Sequence, residues 1–143
     1  MSATTRTAKA HWEGSLMEGS GSVSLDSSNL AKFDVTWASR TESPEGRTSP
    51  EELIAAAHST CFSMQLSHGL ADAGTPPQQV DTTADVDFVA GTGITEIRLT
   101  VRAKVEGIDT DSFLAAAEDA KRNCPVSQAL TGTTITLDAA LVD

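Results

Sequence analysis

Tyrosine is absent from this sequence, and its aromatic residues are two tryptophans and four phenylalanines. The interior therefore has to be built mainly from aliphatic side chains and alanine. Basic residues are scarce as well: 10 Lys and Arg stand against 20 Asp and Glu, a formal net charge of -10. A surface of that sign repels nucleic-acid phosphates and is not drawn to anionic membranes. The segment from Met1 to Gly14 contains no apolar run of the kind a secretory signal carries. The stretch between Glu52 and Asp72 has no formal charge, but His58, Ser59, Thr60, Ser63, Gln65, Ser67 and His68 would burden a membrane span heavily. These absences predict a cytoplasmic protein with neither nucleic acid nor membrane as partner. There is no Gly-rich phosphate loop after a strand, no G-x-S-x-G and no H-E-x-x-H. Only two cysteines occur, Cys61 and Cys124, too far apart for C-x-x-C. In a reducing cytosol such a pair points to redox or metal chemistry more than to a structural staple.

What is present centres on one long helix. Ser49 suits an N-cap, Pro50 the first helical position, and Glu52 completes a capping box. Gly74 and Pro76-Pro77 end the pattern. Leu53, Ala57, Cys61, Met64, His68 and Ala71 form one apolar stripe, and Ile54, Phe62, Leu66 and Leu70 extend it to other faces. A helix apolar on most sides is expected to be buried on most sides.

Around it lie shorter elements. Thr7–Trp12, Gly21–Leu25 and Lys32–Ala38 read as strands, and Ser39–Ser49 as a loop. After the helix, Asp81–Val89 and Ile94–Val105 alternate cleanly, with Ile97, Leu99, Val101, Ala103 and Val105 on one face. A second helix runs from Asp109 or Thr110 to about Asn123, with Phe113, Ala117, Ala120 and Cys124 as its stripe. A helical turn over Val126–Leu130 and a strand over Thr134–Val142 complete the chain. Every strand has one polar face, which predicts antiparallel sheet with one wet side. The order implies a single α+β domain spanning residues 1–143.

The two cysteines can be read as small buried hydrophobes. Both nevertheless fall on apolar helical stripes and can face one interior. Cys124 precedes Pro125 at the start of a helical turn, where the dipole favours a thiolate. Cys61, mid-helix among apolar residues, should have a raised pKa. His58, three residues before Cys61, allows a metal site with both cysteines, although the spacing matches no common zinc array.

The block T-S-P-E-E-L-I-A-A-A-H-S-T-C-F-S-M at Thr48–Met64 resembles the signature helix of the OsmC/Ohr family, the osmotically inducible protein C and organic hydroperoxide resistance proteins. N-C-P-V-S-Q-A-L at Asn123–Leu130 is similar to that family's second cysteine motif. A-H-W-E-G at Ala10–Gly14, D-T-T-A-D-V at Asp81–Val86, and Ala56-Ala57-His58 before the cysteine resemble the OsmC branch. The resemblance implies an OsmC-like fold, antiparallel sheets with a long central helix, as an entwined homodimer. It implies a thiol-dependent peroxidase for organic hydroperoxides, and less well for hydrogen peroxide, acting in oxidative or osmotic stress without metal or organic cofactor. Cys61 matches the peroxidatic cysteine and Cys124 the resolving one, which together form a disulfide that a dithiol reductant, lipoyl-type or thioredoxin-like, reopens. Glu51 and Arg40 match the family's assisting pair, with Arg47 as a second choice because the intervening loop is about one residue longer than usual. On this reading a cation such as Arg40 must reach Cys61 for it to be the nucleophile.

Ten residues of straight helix separate Glu51 from Cys61 by about 15 Å. Arg40 and Glu51 are therefore expected to serve Cys61 from a partner subunit, at an interface site. The rival readings are a redox sensor that switches once without turnover, and a metal-binding protein using Cys61, Cys124 and His58.

Overall fold

The computed structural model describes residues 2–143, and the chain divides into two compact units, one up to Glu52 and the other Leu53–Asp143. In the first, β1 (Lys9–Glu13), β2 (Ser20–Ser24) and β3 (Lys32–Val35) form an antiparallel sheet in that order. Gly21 lies opposite Trp12, where a Cβ would fall 2.7 Å from a carbon of the indole ring. That strand position therefore needs glycine.

The third strand ends earlier than its alternation predicts. At Thr36 the chain turns into the short helix α1 (Trp37–Thr41). Thr36 Oγ1 accepts from the Ser39 N–H and Ser39 Oγ accepts from the Thr36 N–H, both at 3.0 Å. This reciprocal cap satisfies two donors locally and overrides the strand pattern of Trp37. The loop expected from Ser39 thus begins with a helical turn that carries Arg40.

The long helix α2 (Pro50–Asp72) begins as predicted. Ser49 Oγ accepts from the Glu52 N–H at 3.2 Å, while the Glu52 carboxylate accepts from the Thr48 hydroxyl at 2.6 Å. Its core-facing stripe is displaced from the expected one. His58, Phe62, Leu66 and Leu70 are buried, whereas Ala57, Met64, His68 and Ala71 are exposed. Phe62, Leu66 and Leu70 recur every four residues and track one helix face. Small and neutral residues all round left the sequence pattern without one dominant direction.

In the second unit β4 (Gln79–Val89) pairs antiparallel with β5 (Gly93–Lys104), and β6 (Thr134–Leu141) pairs parallel with β5. The expectation of purely antiparallel pairing fails at this last strand. The connection from β5 to β6 contains α3 (Thr110–Asn123) and α4 (Pro125–Ala129). A crossover of that length returns the chain to the same end of the sheet, and so delivers a parallel strand. The α+β class holds, and although β1 is exposed along its whole length, this sheet has the single wet face expected. On that face Arg98 bridges Asp87 and Glu96, and Arg102 meets Asp138. On the other, Ile97, Leu99, Val101 and Ala103 pack with Phe62, Leu66 and Leu70 of α2 and with Phe113, Ala117 and Ala120 of α3. Each fully buried phenylalanine here contributes roughly 1.5–3 kcal/mol. Cys124 belongs to this core and is fully buried.

Candidate active site

Arg40 comes from the last turn of α1 and Glu51 from the first turn of α2. The Arg40 Nε donates to Glu51 Oε1 at 3.0 Å, and Nη2 donates to Oε2 at 2.9 Å. This is a two-point fork, which fixes the guanidinium plane as well as its position. The Glu51 side chain is only 8% exposed, against 28% for Arg40. The carboxylate is thus the buried anchor and the cation the more exposed partner. The Trp37 ring lies 5.9 Å from the guanidinium carbon, on the same short helix. Ser39 Oγ, 2.9 Å from the Thr48 carbonyl oxygen, ties α1 to the residue that leads into α2. Arg47, the second choice from sequence, lies exposed in the turn that follows Pro44.

The two cysteines meet in the other unit. Cys61 is half-buried on α2, and Cys124 is the residue where α3 ends and α4 begins. Both are free thiols, and Cys61 packs against the core cluster that contains Cys124. Burial pushes the Cys61 thiol up, the backbone N–H of Val126 pulls it down, and the Cys124 thiol adds to the rise. The sequence argument put the helix-start advantage on Cys124. Instead Val126, the second residue of α4, directs its N–H at Cys61. Pro125, which has no N–H, occupies the first position. The net direction for Cys61 is upward, as expected for a mid-helix thiol.

Sequence reasoning offered His58 only as a metal ligand with the two cysteines, and passed over Ser127. His58 is fully buried, and its Nε2 lies 2.7 Å from Oγ of Ser127, itself buried on α4. Burial holds the imidazole below its usual range, so it is neutral at physiological pH. The signal was present in retrospect: His58 precedes Cys61 by three residues, and Ser127 follows Cys124 by three. Among the described residues no group of three or more His, Cys, Asp or Glu is placed to hold a metal ion. No described helix is long and apolar enough to cross a membrane.

The sequence and the fold have counterparts. The family model for OsmC-like protein matches residues 43–138, which include Glu51, Cys61 and Cys124. Peroxiredoxin OsmC of Escherichia coli (strain K12) is 46% identical over 136 residues, covering 93% of this chain and 94% of that protein. Peroxiredoxin OsmC of Shigella flexneri matches to the same extent. Among solved structures, an organic hydroperoxide resistance protein OsmC from Legionella pneumophila superposes with a TM-score of 0.74 at 24% identity, over 98% of this chain and 99% of that one. OhrB of Bacillus subtilis, an organic hydroperoxide resistance protein, gives 0.65 at 21% identity, over 94% and 98%. At those identities the two structures speak for the fold alone, whereas the curated relatives and the family model speak for kinship: the chain belongs to the OsmC/Ohr family, in its OsmC branch.

Proposed function

We propose that this protein is a thiol-dependent peroxidase that reduces organic hydroperoxides to alcohols in stress defence. The observation that carries the reading is the meeting of Cys61 and Cys124, two free thiols packed together at one core cluster. The Cys61 thiolate attacks the outer peroxide oxygen, the O–O bond breaks, and the alkoxide leaves as the alcohol after taking a proton. Cys61 is then a sulfenic acid. The Cys124 thiolate attacks its sulfur, hydroxide leaves as water after taking a proton, and a Cys61–Cys124 disulfide forms. A dithiol, lipoyl-type or thioredoxin-like, reduces that disulfide by exchange.

Arg40 lowers the Cys61 pKa and polarises the peroxide, and Glu51 holds Arg40 in place. Because α2 is continuous from Pro50 to Asp72, about 15 Å of helical rise separates Glu51 from Cys61. This supports a composite site in which Arg40 and Glu51 of one chain serve Cys61 of a second copy. Exposed Met64 and Phe33, at 67% and 38% of their surface, are consistent with a homodimer. The catalytic unit is one domain of residues 1–143, and it works in the cytoplasm.

The test is intact mass and free-thiol count after one equivalent of an organic hydroperoxide, on wild type, Cys61→Ser and Cys124→Ser. The wild type should lose both thiols, Cys124→Ser should stop at a sulfenic or over-oxidised Cys61, and Cys61→Ser should not react. Continued turnover with a dithiol separates a peroxidase from a sensor that is oxidised once. Two thiols left reduced in the wild type would overturn the reading.

A further inference from the structure

We infer that the buried His58–Ser127 pair is a clamp that sets the geometry of the Cys61–Cys124 disulfide, making His58 and Ser127 positioning residues for the thiol chemistry. The inference rests on the reading of Cys61 and Cys124 as a disulfide-forming pair. Each clamp residue sits three positions from a cysteine on its own segment: His58 before Cys61 on α2, and Ser127 after Cys124 on α4. Three residues is nearly one helical turn, so each clamp residue and its α2 or α4 neighbours share one local face. The 2.7 Å contact between His58 Nε2 and Ser127 Oγ therefore crosses the same α2–α4 boundary that the thiols cross.

Among the described residues, the His58–Ser127 contact is the one side chain–side chain hydrogen bond that ties α4 to α2. Helix α4 is five residues long, and its N-cap residue, Cys124, makes no side-chain capping hydrogen bond. So short a helix does not hold its own position. Yet it carries the Val126 N–H that meets Cys61, and Cys124 immediately precedes it. A shift of α4 by one ångström would misdirect both.

The chemistry of the pair fits a fixed clamp. His58 Nδ1 is buried without a hydrogen-bond partner. A bare ring lone pair is less costly there than an orphaned N–H, so the proton sits on Nε2 and donates to the Ser127 hydroxyl. The donor's direction is then set by the rigid imidazole ring. His58 and Ser127 are both buried, so bulk solvent does not reach the bond to replace it if it is lost.

A clamp and a merely structural hydrogen bond predict different outcomes. A bond that only stabilises the fold supports reduced and oxidised protein equally, and leaves the thiol–disulfide equilibrium where it was. A clamp raises the effective concentration of one thiol at the other, so its removal shifts that equilibrium toward the dithiol. The experiment equilibrates the full-length protein in graded mixtures of reduced and oxidised dithiothreitol, with no peroxide, and reads the disulfide fraction by mass after alkylation. The variants are Ser127→Ala, His58→Leu and the double substitution. Ser127→Ala should lower the oxidation constant about five-fold, the equivalent of one buried hydrogen bond. The double variant should be no worse than the more affected single one, because both remove the same contact. Ser127→Ala removes a single oxygen and decides the matter even if His58→Leu does not fold. A constant for Ser127→Ala equal to that of the wild type overturns the clamp, as do fully additive effects. A wild type that forms no Cys61–Cys124 disulfide overturns instead the functional reading beneath it.

Discussion

In the proposed mechanism Arg40 and Cys61 depend on each other for opposite reasons. The guanidinium is oriented by a buried carboxylate but keeps part of its surface open. The thiol is pushed up by burial, and one backbone N–H does not reverse the shift. Since the thiolate is the nucleophile, a raised pKa means too little reactive sulfur at neutral pH, and the rate climbs with pH until the thiol is fully ionised. With Arg40 in place that climb should level off near neutrality. In Arg40→Ala the peroxide-reduction rate should fall by orders of magnitude at pH 7, then rise about ten-fold per pH unit into the alkaline range. A stopped-flow pH series on both proteins checks this, and superimposable profiles would remove Arg40 from the mechanism. Glu51 also sits in a helix first turn, where an acid is favourable in any case. Its fork to Arg40 is what lifts it above that ordinary role.

Helices α2 and α4 are where a titration reaches the fold. His58 is buried neutral, and its pKa is below the ordinary 6.5. The unfolded chain therefore binds a proton that the folded chain resists, and stability rises with pH over that interval. The His58 contribution is complete above the ordinary imidazole range and is lost as the pH falls toward the lowered folded value. Urea unfolding midpoints should drop between pH 7 and pH 5, and the drop should be smaller in His58→Gln, which cannot titrate. An equal drop in both would place the acid sensitivity elsewhere. The same helices show what the sequence could and could not say. Caps are local chemistry, so Ser49, Pro50 and Asp109 marked their helices correctly. The β5 face and the α3 stripe were legible because their periods are unambiguous, from Ile97 to Ala103 and from Phe113 to Cys124. The buried face of α2 was not, because Ala57 and Met64 look as apolar as Phe62 until packing chooses between them. Nor was α1, whose reciprocal cap lies inside an apparent strand, or the parallel β6, whose direction is decided by the crossover and not by its own residues. At the candidate site the motif residues could be named from the sequence, whereas the Val126 N–H and Ser127 could not, since one is backbone and the other a common small side chain.

At the scale of the whole molecule, the proposed second copy becomes testable by complementation. Arg40→Ala and Cys61→Ser should each be nearly inactive alone. If Arg40 serves the partner's thiol, mixing them 1:1 under conditions that exchange subunits yields heterodimers with one intact site, and about a quarter of wild-type activity returns. If each chain completes its own site, no mixture regains activity. Turnover measured before and after exchange, alongside sedimentation to confirm the dimer, separates the two arrangements.

The placement of the indoles has a practical outcome for all of these measurements. Trp12 and Trp37 both lie in the unit that ends at Glu52, and there is no tyrosine anywhere in the chain. Near-ultraviolet emission therefore originates wholly from the unit that holds Arg40, with one fluorophore beside the guanidinium itself. The unit that carries the thiols contains only phenylalanine and is dark at those wavelengths. Fluorescence will follow the environment of the arginine, while melting confined to the thiol unit has to be followed by circular dichroism.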